Sequence, residues 1–195
     1  MKINNFKPTK SSFISIEKDL EILTNIFFSN DKLMKLLHYD CKEALSKPNL
    51  TPEQKVDMFG KNIKIVPKLK VDTDVLQYIV ISFDNFSPTS NPEFRDNILE
   101  IDICCHFDQW MLGGFKLRPF CIAGEIDSMI DKKHFSGIGK LQFINANITL
   151  LENEYAGICL QYAAIHGDDD KKEVPKPQDN PAHVQDFKNI IEGYE

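Results

Sequence analysis

The chain has 195 residues, 42% of them hydrophobic and 27% charged, with a formal net charge of −6. This composition suits a single soluble domain with appendages, and the acidic balance argues against a general nucleic-acid binder, which needs clustered Lys and Arg to neutralise phosphates. No run approaches the roughly 18 apolar residues of a membrane span, and the opening MKINNFKPTK lacks a signal-peptide core, so neither a spanning nor a signal-exported protein is expected.

Charge is unevenly spread: residues 1–70 carry a net +5, residues 71–166 a net −7, and the stretch from Gly167 onward a net −4. A basic front and an acidic body suit head-to-tail contact between copies, and they equally suit solvated faces. Five cysteines (Cys41, Cys104, Cys105, Cys121 and Cys159) are an odd number without CxxC spacing, the pattern of reduced thiols in a cytosolic setting.

In chain order, Ser15 can cap a helix whose apolar stripe is Ile16, Leu20, Leu23 and Phe27, with Glu17 and Asp19 at its positive start. Asn30 or Asp31 opens a second helix carrying Leu33, Leu36 and Leu37. Thr51 as cap, Pro52 at the first helical position and Gly60 as stop define a short third helix. From Val75 the period changes. Gln77 to Phe83 reads as a strand, NFSPTSNPEFRDN as a loop, and Ile98 to Phe107 as a second strand with clean alternation. Leu99, Ile101, Ile103, Cys105 and Phe107 face one way, while Glu100, Asp102, Cys104, His106 and Asp108 face the other, so Cys105 is expected to be buried and Cys104 more exposed or interfacial.

An amphipathic helix follows near Pro119 to Lys132, with Ile122, Ile126, Met129 and Ile130 on its apolar side. Two further strands, about Lys140 to Leu151 and Tyr155 to His166, are close enough to form a hairpin across LENEY. Gly167 to Ala182 is charged and proline-rich and is expected to be mobile. Beyond it, Val184, Phe187, Ile190 and Ile191 line one side of a short detached helix. The expected fold class is α+β: a mostly antiparallel sheet of about four strands with one main helix packed on a face, plus N-terminal helices. The expected organisation is an N-terminal helical extension over 1–70, an α+β core domain over 71–166, and an acidic mobile C-terminal tail over 167–195.

The reactive-looking side chains do not assemble into an expected site. Asp102, Cys104, His106 and Asp108 recur every second residue, so neighbours stand about 6.6 Å apart along the strand. Two of them could approach one zinc ion at its usual ligand distance of about 2.0–2.3 Å, but four cannot. A thiol- or metal-dependent enzyme using Cys104 and His106 is thus the less favoured alternative, because parallel side chains do not make a nucleophile–base pair. Gly137 to Lys140 (GIGK) follows a helix and precedes a strand, which is the setting of a turn and not of a phosphate loop. Glu152 and Glu154 fall at a hairpin tip, and His38, His134, His166 and His183 are scattered.

Ile101 to Ile103 (IDI), then Arg118, Ala123 and Ile126 on the following helix, then the GIG turn Gly137 to Gly139 and the strand start Tyr155 to Gly157 resemble tail terminator (tail-completion) and neck proteins of long-tailed bacteriophages, over about residues 75–166. The resemblance implies a structural virion protein with no enzymatic activity and no cofactor. It would form a ring, usually hexameric, at the head–tail junction. There it caps the tail tube, possibly touches the sheath, and docks the head through other neck proteins, with DNA passing through its channel. Another neck or head–tail connector adaptor is the alternative. Within that picture the loop Trp110 to Leu117 is the expected interface, through Trp110, Met111, Leu112 and Phe115, since exposed apolar patches mark contacts; the equal alternative is that the loop folds over the core. Glu100, Asp102 and Asp108 are expected to line the channel, where like charge keeps DNA from adhering.

Overall fold

The computed structural model describes residues 13, 16–66, 74–90, 94–135, 137–151 and 154–167. Expectations for the C-terminal tail, including the stripe at Val184, lie outside the described residues.

Helix α1 (Ile16–Ser29) and helix α2 (Asp31–His38) abut at Asn30, whose side chain accepts hydrogen bonds from the backbone of Lys32 and Leu33 and so starts α2. Helix α3 (Pro52–Asp57) is held by a reciprocal capping box: Gln54 N–H donates to Thr51 Oγ1 (3.3 Å), and Thr51 N–H donates to Gln54 Oε1 (2.9 Å). Lys55 Nζ then donates to the Phe28 carbonyl at the C-terminal end of α1 and pairs with Asp31 (2.7 Å).

The sheet is five-stranded, with strands β1 (Ile63–Ile65), β2 (Gln77–Pro88), β3 (Phe94–His106), β6 (Gln142–Leu150) and β7 (Tyr155–Gly167) in the order β1-β2-β3-β7-β6. The β1–β2 pair is parallel and the other three are antiparallel. Helix α4 (Arg118–Ile130) lies on β3 and β7, and a two-stranded hairpin of β4 (His134–Phe135) and β5 (Gly139–Lys140) follows it. The fold is mixed α+β, as expected, with one strand more in the main sheet and the β4–β5 hairpin besides; β1 is too short to carry a period. β2 also continues through the supposed loop to Pro88, which pairs with Arg95. Proline is tolerated there because β1 pairs with Ile79–Ile81 alone, so that among the described residues this part of β2 has no further strand on that edge.

The covered face buries Ile79, Ile81, Leu99, Ile101, Ile103, Cys105, Ile158 and Leu160 against α4 residues Ile122, Ile126 and Ile130. Leu23 and Phe27 of α1 and Leu33, Leu36 and Leu37 of α2 join the same core. Each fully buried Leu, Ile or Phe side chain contributes about 1.5–3 kcal/mol of transfer free energy.

Arg118, the first residue of α4, is fully buried and clamps the helical layer to the sheet. Its Nη1 donates to the carbonyls of Leu36 (2.6 Å) and Tyr39 (3.0 Å), its Nη2 to Cys41 (2.7 Å), and its Nε to Gln109 (2.9 Å). A planar fork of five N–H donors suits such a set of divergent carbonyls. Burial lowers the guanidinium pKa, while nearby Cys105 and Asp40 act in the opposite sense. The carbonyl end of α2 favours the cation as well.

Two glycines of the GIG and Y-x-G motifs are set by backbone geometry, Gly137 by its positive φ and Gly157 by the neighbouring strand. Gly137, at φ +87°, lies so near Asp19 of α1 that a Cβ would stand 2.2 Å from the carboxylate. A Cβ on Gly157 would stand 1.7 Å from the Ile103 carbonyl, which no side chain permits without parting β3 from β7.

Candidate functional site

The open face of the sheet and the loop beyond its end hold the residues singled out from sequence. Across the open face, Val80, Asp102, Cys159 and Asn147 form one row of cross-strand partners, and Ser82, Glu100, Gln161 and Asn145 form the next. Gln161 Nε2 donates to Glu100 Oε1. Burial raises the Asp102 carboxyl pKa and the neighbouring Glu100 charge adds to it, against a hydrogen bond from the Cys159 thiol. Asp102 in turn helps burial push the Cys159 thiol up to about 12. Glu100 and Asp102 are thus half-buried acids on one face, as the strand alternation requires, whereas Asp108 has left the strand and is exposed in a turn.

Cys105 is buried in the main core, as expected, but Cys104 is also buried, at 1% exposure, contrary to expectation. The register is as predicted; the open face simply carries a small core of its own. Tyr78, Val80 and Tyr155 enclose Cys104, and Val75 and Leu151 pack around them. Tyr155 Oη donates to the Val75 carbonyl (3.0 Å), fixing the lid. Burial pushes the Cys104 thiol up to about 12, the hydrogen bond with Tyr78 acting the other way. A thiol so held stays protonated at neutral pH and is a poor nucleophile.

His106 turns away from this thiol chemistry. Its Nδ1 accepts from the Asp108 backbone N–H (3.2 Å), its Nε2 stands 3.4 Å from Glu154 Oε2, and its ring meets Tyr155 edge-on. His106 therefore caps the turn that ends β3, which is why Phe107 falls outside the strand and is 51% exposed instead of lying in the core. Among the described residues no group of three His, Cys, Asp or Glu side chains is placed to hold a metal ion.

The loop from Trp110 to Leu117 is anchored at both ends and bare in the middle. Trp110 is half-buried and donates from Nε1 to the Cys105 carbonyl (3.2 Å). Leu112 is buried at 4% exposure and so lies inside the fold, not on the expected patch. Met111 is half exposed and Phe115 is 93% exposed, with φ +61°, a conformation costly for a bulky residue. Leu117 at 39% and Phe120 at 49% extend the apolar surface onto the start of α4. Sequence reading missed Phe107, Leu117 and Phe120; the His106 cap and the Pro119 helix start were the available signals.

The family model of YomW matches residues 30–164. No curated protein matches the chain. Among solved structures, a chain of the virion of a native gene transfer agent (GTA) particle is similar, with a TM-score of 0.40 and 13% identity, over 55% of this chain and 80% of that chain. Among the described residues no helix is long and apolar enough to cross a membrane.

Proposed function

We propose, for a chain that belongs to the phage-type YomW family, that it is a structural virion protein working at the neck, as a ring-forming tail terminator that caps the tail tube and docks the head. The family supports the phage setting, and the IDI, Arg118, GIG and Y-x-G motifs support the finer reading through their resemblance to tail terminators. The observation that carries a docking role is Phe115. An aromatic ring held in left-handed backbone at 93% exposure, with Met111 and Phe107 exposed nearby in the chain, is a poor arrangement for a lone chain. Such a side chain becomes favourable when a partner desolvates it.

In this reading Trp110 and Leu112 act from beneath, fixing the loop, while Met111 and Phe115 make the contact to an adjacent subunit or to the tail tube. Glu100 and Asp102 face the DNA path, where like charge discourages adhesion. Catalysis forms no part of the proposal. The test is Met111→Asp with Phe115→Asp in the full chain. Circular dichroism should stay native because both residues are exposed, while ring mass by light scattering and tail capping are lost. An unchanged ring and unchanged capping would refute the docking role of the loop, and a wild-type chain that stays monomeric beside tail tubes without capping them would refute the terminator reading.

A further inference from the structure

The five strands of the sheet are covered unevenly. Strands stand about 4.8 Å apart and a helix is about 10 Å wide, so one helix covers about two strands. α4 lies on β3 and β7, and α2 touches β2. At the far edge, no residue of β6 is buried.

Yet β6 is built to be covered. Its sequence, QFINANITL, contains no charge and no proline, the devices that normally blunt a free edge. Register places Phe143, Ala146, Ile148 and Leu150 opposite Tyr162, Leu160, Ile158 and Ala156, on the same side of the sheet as α4. Ile148 is 64% exposed and Leu150 79%. An apolar row thus continues the core outward: its start meets the end of α4, where Phe143 N–H donates to Asp131 Oδ1, and its far end at Ile148 and Leu150 is largely exposed.

We propose that residues 184–191 of the same chain lie along this row beside α4. Position, reach and charge all favour that occupant. β7 ends at Gly167, four residues beyond Ala163, the partner of Gln142 at the start of β6, so the chain leaves the sheet beside the uncovered strand. The 17 residue-to-residue steps from Gly167 to Val184 span up to about 56 Å when extended, against the roughly 30 Å length of β6. The first residues after Gly167 are Asp168, Asp169 and Asp170, and the neighbouring corner carries three lysines, of which Lys132 stands 3.6 Å from Asp131, with Asp96 opposite Ile165. Ile165 N–H donates to the Ile138 carbonyl, and backbone bonds between Leu141 and both Lys132 and Lys133 bring those lysines and Lys140 to the same corner, all three exposed. Val184, Phe187, Ile190 and Ile191 at helical spacing then offer a stripe matching the strand row. The segment completes the helix layer that α4 leaves unfinished, and this proposal does not depend on ring formation.

Hydrogen exchange with mass spectrometry on the full chain, diluted to monomer, tests it. Residues 184–191 should be protected, and Ile148→Asp should speed their exchange at least about tenfold while far-ultraviolet dichroism stays native. Phe187→Asp with Ile190→Asp should do the same and should also speed exchange in β6. Exchange of 184–191 at free-chain rates in the wild-type monomer would overturn the proposal. So would protection that survives both variants, or β6 protection that appears only on self-association, which would make a second copy the occupant.

Discussion

Cys104 and Cys105 are neighbours in β3 with equally small exposure, yet they are buried by different means. Cys105 sits in the large core, under α4 and beside the Arg118 guanidinium. Cys104 sits under two tyrosines on a face that is otherwise polar and half-open. One side of the sheet is covered by whole helices except along β6; the other is protected at one end by a lid of side chains. Burial of a strand residue therefore says little about which layer it belongs to, and the two sides should fail separately.

The covered side breaks hardest at Arg118. Arg118→Ala strips one buried and three part-buried carbonyls of their donor, at about 1–3 kcal/mol for each that is left buried without a partner, so a loss of about 3 kcal/mol is expected in urea unfolding. Arg118→Lys should recover only part of it, since an ammonium lacks the planar fork. Gly157→Ala comes next, because a Cβ 1.7 Å from the Ile103 carbonyl forces β3 and β7 apart and damages both faces at once. About 3 kcal/mol, measured the same way, is expected of such overpacking.

Tyr155→Phe sharpens the comparison without breaking the sheet. It removes one hydrogen bond to Val75, worth about 1 kcal/mol. Thiol labelling of Cys104 should then accelerate while Cys105 stays inert; equal acceleration of both would mean that the lid is not a separate unit. The smallest effect is expected from Asp102→Asn. Burial and Glu100 raise the folded-state pKa of Asp102, so its contribution favours the folded state below the unfolded-state pKa and is lost as pH rises through the folded one. The variant should raise the melting temperature at pH 7 and leave it nearly unchanged at pH 3.

Local signals were well written in the sequence. Asn30, Thr51 with Pro52, and the alternation from Leu99 to Cys105 each act through atoms a few residues away, so helix starts and strand faces could be read directly. What escaped depends on distant partners. β1 has three residues and gains its identity from parallel pairing with Ile79 to Ile81. The burial of Cys104 depends on Tyr78 and Tyr155, one on each neighbouring strand. β2 passes a bulge near Asn85, at φ +56°, which reads as a turn in isolation. At the candidate site, Met111 and Phe115 were legible as exposed loop residues, but Leu112 was not legible as buried. Its direction is set by a backbone bond to Lys116, which alternation does not foresee. The motif residues Arg118, Gly137 and Gly157 prove to be determinants of packing, so the likeness they carry is first of all a likeness of fold.

The Arg118 clamp also orders events during synthesis. The carbonyls it engages belong to Leu36, Tyr39 and Cys41, between 77 and 82 residues earlier in the chain. As the polypeptide leaves the ribosome, α1 and α2 emerge before α4; Asn62 and Gln77 can already bond the Leu37 carbonyl, but the carbonyls of Leu36, Tyr39 and Cys41 lack the Arg118 donor until the start of α4 arrives. Domains commonly settle from the N-terminus as they are made. Here the first helices must wait for that last donor, and a nascent chain stalled before residue 118 should be more open to protease at residues 36–41 than the finished protein.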